Sequence, residues 1–322
     1  MQKQMQKRMD KTQSQRHKKT PIAFMSVRRL AALVSMALIL VALLALVVRG
    51  LNLGLDFAGG MAVELHYSSK PDLGEMRNKL ADAGYQRAVV QSFGSDQDVL
   101  VRLPDARTGD QDQSVRLIRL LQQDDPELEV RRNDFIGAQF GAQLKEQGVL
   151  AMVVAMVVAM IYVAFRFQFK FAVGAVMALV HDVVMVLGVF ALFDLNFDLT
   201  VLVAVLVVIG YSLNDTLVVC DRIRENFRKL RQATAEEVMN VSINQVLGRT
   251  LITSLTTLLV LVVLFLFGGQ AIWYFSLALI IGVVTGTYSS IYIAANVMLW
   301  AGICRQDLVP AQEERDTVLH NR

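Results

Sequence analysis

Six stretches of this chain are too long and too apolar to serve as ordinary core helices, and they constrain every other reading of it. They cover residues 30–48, 148–165, 171–193, 199–220, 250–267 and 271–302, and four of them contain no charged residue. An apolar run of about 18 residues or more reads as a membrane-spanning helix. The whole chain is 54% hydrophobic and only 19% charged, and all its charges but those of Asp182 and Asp215 fall outside the runs. The class expected is therefore a polytopic α-helical membrane protein with six spans.

The links test that count. Arg166 and Lys170 sit between the second and third runs, and Arg222, Arg224, Arg228, Lys229, Arg231 and Arg249 between the fourth and fifth. The links 194–198 and 268–270 hold no base. Basic links mark the cytoplasmic side, so this alternation places both termini there: a basic tail over 1–29 and a second tail over 303–322. The first run follows nine Lys/Arg and one acid, Asp10. It is too long for the core of a secretory signal and no small-residue cleavage pattern follows it. An uncleaved first span is expected.

Residues 49–147 then lie outside the cytoplasm. Residues 61–67 alternate as a strand, and Asp72 caps a helix over 72–83 with Glu75 three residues on. Residues 88–93 and 99–103 flank Gly94–Asp98 as a hairpin. Helical spacing returns at 114–122, and 128–135 supplies a last strand. The order is βαββαβ, a ferredoxin-like α+β domain. In the link 221–249, Thr234 and Glu237 form a capping box. It opens a helix with Met239, Ile243 and Val246 on one face, lying along the membrane surface or forming a plain soluble turn.

Cys220 and Cys304 give no disulfide framework. No nucleophile elbow, phosphate loop or metal-ligand spacing is present, so neither an enzyme nor a metal or cofactor is expected. What stands out is ionisable groups inside apolar runs. Asp215 lies about five residues from the end of its run, roughly 8 Å inside at 1.5 Å per residue. His181 and Asp182 lie near the middle of theirs. An ionised carboxylate there costs on the order of 3 kcal/mol on insertion scales and usually serves a pathway or a pair. Two conformations that differ in burial and nearby charge would let such a group bind and release a proton. Arg249, at the start of the fifth run, is within reach of Asp215 if the two helices are neighbours. The plainer alternative has Asp215 bonding Ser212 or Asn214 while Arg249 snorkels to the interface. For His181 and Asp182 the plainer alternative is that one of the pair simply packs.

Four strings carry a resemblance. They are Gly54-Leu55-Asp56-Phe57-Ala58-Gly59-Gly60, Ala178-Leu179-Val180-His181-Asp182, Ile209-Gly210-Tyr211-Ser212-Leu213-Asn214-Asp215 running on to Asp221–Asn226, and Arg249-Thr250-Leu251-Ile252-Thr253-Ser254. In order and spacing the chain resembles the SecF branch of the SecD/SecF family, in the RND superfamily. The resemblance implies a subunit that pairs with SecD and associates with the SecYEG channel and often YajC. It implies use of the proton-motive force to draw an unfolded polypeptide across the bacterial cytoplasmic membrane, with no part for nucleic acid. The family's functional aspartate and arginine map onto Asp215 and Arg249. His181, Asp182 and Asn214 form a possible second intramembrane polar site, and Gly54, Asp56, Gly59 and Gly60 a structural loop joining the first span to the outer domain. The basic tail has a role at anionic lipid as one reading. Half of another RND-type transporter, moving lipid or a small molecule, is the main alternative, and a static scaffold of the export channel the next. The five-residue link 194–198 leaves no room for the second outer domain that the first alternative usually carries.

Overall fold

The computed structural model describes residues 22–86, 88–93, 95–103, 111–230 and 232–304. Most of the basic tail, most of the C-terminal tail and Gly94 lie outside the described residues. Among the described residues, six helices are long and apolar enough to cross a membrane. They are α1 (Arg28–Val48), α5 (Ala138–Arg166), α6 (Phe169–Leu192), α7 (Leu199–Lys229), α8 (Ala235–Phe267) and α9 (Gln270–Trp300).

The six are not equivalent. About half of the most apolar windows of α6, α7 and α9 is buried, against 17% for α1, α5 and α8. The inner three form the packed centre, and the outer three expose Leu, Val and Ile along their lengths. Such a surface is unfavourable in water and neutral in hydrocarbon, where helices associate through close packing of small residues. Gly188 of α6 shows why. A Cβ there would stand 2.2 Å from the Ala42 Cβ of α1, so only glycine lets the helices approach this closely.

Two expectations about helix ends are corrected. The second span was expected over 148–165, but α5 begins at Ala138, so its first turns were assigned to the outer domain. The link 221–249 was expected to hold a separate helix. Instead α7 runs on to Lys229, and α8 runs unbroken from Ala235 through Arg249 to Phe267. The Thr234–Glu237 capping box is present, with bonds of 3.3 and 2.8 Å, yet it opens the span itself. Gly248 is the one weak helix former near the junction, and glycine costs only about 1 kcal/mol relative to alanine. Met239, Ile243 and Val246 pack with Ile223 and Phe227 of α7 rather than lying along lipid.

The chain enters α1 through a 3-10 turn over Phe24–Val27. This turn is held on α8 by side-chain amides. Asn244 accepts from the Ile22 N–H (2.9 Å) and donates to its carbonyl (2.8 Å), and Asn240 accepts from the Met25 N–H (2.9 Å). Arg28 pairs with Glu236 at 2.5 Å.

Between α1 and α5 lie β1 (Asn52–Leu53), the one-turn α2 (Leu55–Ala58), β2 (Gly60–His66), α3 (Leu73–Asp82), β3 (Val89–Phe93), β4 (Ser95–Leu103), α4 (Gln111–Gln122) and β5 (Glu129–Ile136). Asp72 caps α3, accepting from the Gly74 and Glu75 N–H groups at 2.7 and 3.2 Å. The four longer strands form an antiparallel sheet in the order β3-β4-β2-β5. Val63 and Leu65 of β2 and Val99 and Val101 of β4 face inward with Leu80, Leu117 and Leu121. The alternate residues, among them Glu64 and Arg102, form the other face. Strand β4 starts at Ser95, so the expected five-residue turn Gly94–Asp98 is shorter, and Asp98 belongs to the strand.

Candidate functional site: intramembrane carboxylates and the outer joint

Helix α7 carries the first carboxylate. Asp215 is 4% exposed, and its Oδ2 has no hydrogen-bond partner. The groups acting on it come from α8: the Arg249 guanidinium and the Ser254 hydroxyl. Arg249 is exposed, and no ion pair within 4.0 Å joins it to Asp215 among the described residues. It lines a cleft of about 330 Å³ with Asn214, Asp221, Arg222, Glu225 and Gln245. The cleft opens at the end of the bundle far from the α+β domain. Asn214 lies on its wall, one residue from Asp215.

The second carboxylate is bonded from all sides. Asp182 of α6 is 1% exposed. Its Oδ2 accepts from Ser212 Oγ of α7 (2.5 Å) and Ser289 Oγ of α9 (2.8 Å), and its Oδ1 lies 3.0 Å from His181 Nδ1. His181 Nε2 is buried without a partner. The Tyr288 ring lies 6.1 Å from the imidazole, and its hydroxyl bonds Ala31 O and Ser35 of α1, each at 2.9 Å. All three inner helices thus meet at one carboxylate. The expectation that Asn214 joins His181 and Asp182 is corrected, since it lines the distal cleft. Ser212 bonds Asp182, so the plainer reading that pairs it with Asp215 does not hold. Sequence reasoning missed Ser289 and Tyr288; the Tyr288-Ser289-Ser290 string inside an apolar run was the available signal.

At the opposite end, the glycine-rich loop is bonded to the α6–α7 link. Residues Asn52 and Leu53 pair in parallel with Asn196 and Phe197 of the short strand β6. Gly54 N–H donates to Phe197 O at 2.8 Å, and a Cβ at Gly54 would stand 2.9 Å from the Asp198 Cβ. Asp56 Oδ2 accepts from the Leu199 N–H at 2.9 Å, a cap on α7 supplied from outside that helix. Phe57 stacks on Phe197 with ring centroids 5.8 Å apart. Gly59 and Gly60 have φ of 70° and 111°, values closed to most side chains, and there the chain turns into β2. From the sheet, Arg102 Nη1 donates to Asn196 Oδ1 at 2.8 Å. Helix α7 therefore touches the outer joint at its first residue and carries Asp215 sixteen residues on, about 24 Å along its axis.

A six-helix apolar bundle with two buried carboxylates, Asp182 bonded by three helices and Asp215 with one oxygen unpartnered, and with an α+β domain bonded to the start of the helix that carries Asp215, defines a polytopic membrane protein with polar sites inside its bundle. The comparisons place it among known proteins. Residues 117–303 match the model for protein export membrane protein SecD/SecF, C-terminal, and residues 44–70 the SecD/SecF GG motif. The protein translocase subunit SecF of Pseudomonas aeruginosa is 48% identical over 299 residues, covering 92% of this chain and 96% of the relative. The SecF subunit of Vibrio alginolyticus is 42% identical, covering 92% and 94%, and that of Haemophilus influenzae 39%, covering 91% and 90%. Among solved structures, SecDF from Thermus thermophilus, a translocon-associated membrane protein, superposes with a TM-score of 0.81 at 34% identity over 88% of this chain. The chain spans 39% of that longer SecDF chain. A SecDF structure in a super-membrane-facing form gives 0.65 at 34% identity, over 91% of this chain and 40% of that one. The chain belongs to the SecD/SecF family of protein-export membrane proteins, as a SecF subunit of protein translocase.

Proposed function

We propose that this subunit, paired with a SecD-type partner, uses the proton-motive force to promote export of unfolded polypeptide through a SecYEG channel, with YajC as a further associate. Asp215 takes up and releases the proton, and Arg249 supplies the charge that alternately approaches and leaves it. The observation that carries this reading is the position of Asp215. Its carboxylate is buried with one oxygen unpartnered, beside a cleft lined by Arg249, on a helix whose other end is capped by the joint of the α+β domain. The proton is thereby linked to displacement of that domain through a single rigid element. Both termini lie on the cytoplasmic side, and residues 49–147 form a ferredoxin-like domain outside, a reading supported by the alternation of basic links and by the strand order. Asp182 forms the second polar site, with His181, as a bonded hub rather than the exchanging group.

Each proton crossing at 100 mV contributes about 2.3 kcal/mol, enough to bias a conformational step. Asp215→Asn keeps the shape and removes the titratable proton, and Arg249→Met removes its cation. Both should insert normally and lose gradient-stimulated export in vesicles reconstituted with the partner subunits. Full gradient-dependent export by Asp215→Asn would sink the assignment.

A further inference from the structure

We propose that the distal end of α7 and the end of α5 form a binding site for the phosphate headgroup of an anionic phospholipid. The site is a pocket of about 330 Å³ lined by Arg166, Asp221, Arg224, Glu225 and Arg228. Its four α7 residues recur at three- and four-residue spacing, so they share one face of the helix, and Arg166 meets them from the last turn of α5.

The charges in the pocket do not cancel. Asp221 stands 3.7 Å from Arg166, and Glu225 is engaged by Arg222 at 2.6 Å and Lys229 at 2.5 Å. Arg224 gives one N–H to the Arg166 carbonyl at 3.3 Å. Among the described residues, neither Arg224 nor Arg228 has a carboxylate within 4.0 Å. Two guanidinium groups one turn apart thus face a cavity whose two carboxylates, Asp221 and Glu225, are engaged by other bases, which leaves the three arginines of its lining in excess by one charge. Guanidinium matches phosphate in charge and in the spacing of its donors.

What makes the ligand a lipid is the exposed aromatic residues beside Arg166 in the chain and the Tyr162 ring of the adjoining cleft. Phe165 is 89% exposed and Phe169 71%, on either side of Arg166 in the chain. The half-exposed ring of Tyr162 lines the neighbouring cleft, which shares Arg166, Asp221 and Glu225 with this pocket. These aromatic rings lie at the level where the apolar surface of the bundle gives way to charge, as interfacial aromatic residues do. A soluble anion would use the guanidinium groups alone. An anionic phospholipid uses both, its phosphate on Arg224 and Arg228 and its acyl chains against the rings. Basic pockets between helices at the membrane surface bind such headgroups.

The inference needs only that this end of the bundle lies at a headgroup layer, and it stands or falls apart from the proton assignment. The test is native mass spectrometry of the full-length chain in non-ionic detergent, with phosphatidylglycerol, phosphatidylcholine of the same acyl chains, or inorganic phosphate added. Wild type should retain phosphatidylglycerol over phosphatidylcholine by on the order of tenfold. Arg224→Gln/Arg228→Gln should reduce that preference to parity, and Arg224→Lys/Arg228→Lys should keep part of it. Undiminished phosphatidylglycerol retention in the glutamine variant overturns the site, and displacement of the lipid by equimolar phosphate overturns its lipid character. If the double variant loses helical circular dichroism, Arg228→Gln alone decides, because Arg228 is exposed and its loss breaks no ion pair among the described residues.

Discussion

Asp182 and Asp215 sit on adjacent helices in the same bundle, yet their surroundings differ in kind. Asp182 collects two serine hydroxyls and an imidazole, whereas Asp215 keeps an oxygen without a partner. Intramembrane hydrogen bonds average about 0.6 kcal/mol each. Asp182→Ala, which abandons three partners, should therefore lose about 2 kcal/mol of stability. Asp182→Asn should lose much less, because its carbonyl still accepts and a serine hydroxyl can turn to accept from its amide. Thermal unfolding in detergent distinguishes the two, and equal stabilities would show that Asp182 is no hub. Both carboxylates were visible in the sequence as lone charges in apolar runs, since hydrocarbon makes such residues costly. Their partners were not visible. Ser212 and Ser289 are 30 and 107 residues from Asp182 in the chain, and only the packing of three helices brings them together.

At the scale of elements, helix existence was readable and helix ends were not. Apolarity marks where a helix crosses lipid, but α5, α7 and α8 all continue beyond that zone as long as nothing breaks them. In α8 the candidate break is Gly248, and a Cβ there meets nothing within 4 Å. Gly248→Ala should leave the melting temperature unchanged or raise stability by up to about 1 kcal/mol. Gly188→Ala is the contrasting case. Its Cβ would run into Ala42, and the overpacking should cost about 1–3 kcal/mol. A loss at Gly248 comparable to that at Gly188 would mean that α8 needs a hinge there. The joint between β1 and β6 was missed for a different reason. Two-residue strands carry no periodicity, so the loop read only as a structural join between the first span and the outer domain, and its bonding to the α6–α7 link was not legible.

Over the whole molecule, the α+β domain has its own core of Val63, Leu65, Leu80, Val99, Val101, Leu117 and Leu121. A fragment of about residues 57–140 should fold alone with mixed α/β circular dichroism; a random-coil spectrum would refute its independence. That fragment should also weaken in acid. Burial acts to raise the Asp98 carboxyl, but bonds from Ser95 and His66 and the Arg131 charge outweigh it and hold the group below its ordinary value. The stability it adds is therefore complete above the ordinary aspartate pKa of about 3.9 and is lost as pH falls through the lower folded value. Asp98→Asn should flatten that part of the pH–melting curve, and an unchanged curve would remove Asp98 as its cause.

The amides that grip the start of the first helix bear on the order in which this protein can be put together. Ile22 and Met25 are held by Asn244 and Asn240, 222 and 215 residues downstream. A ribosome working from the N-terminus delivers α1 long before the residues that fix its distal end exist. Until then α1 has lipid and, once it is made, α6 as its neighbours, which its almost uniformly apolar surface and the close approach at Gly188 suit, and the clamp closes only once α8 is in place. The end synthesised first is thus among the last to be locked.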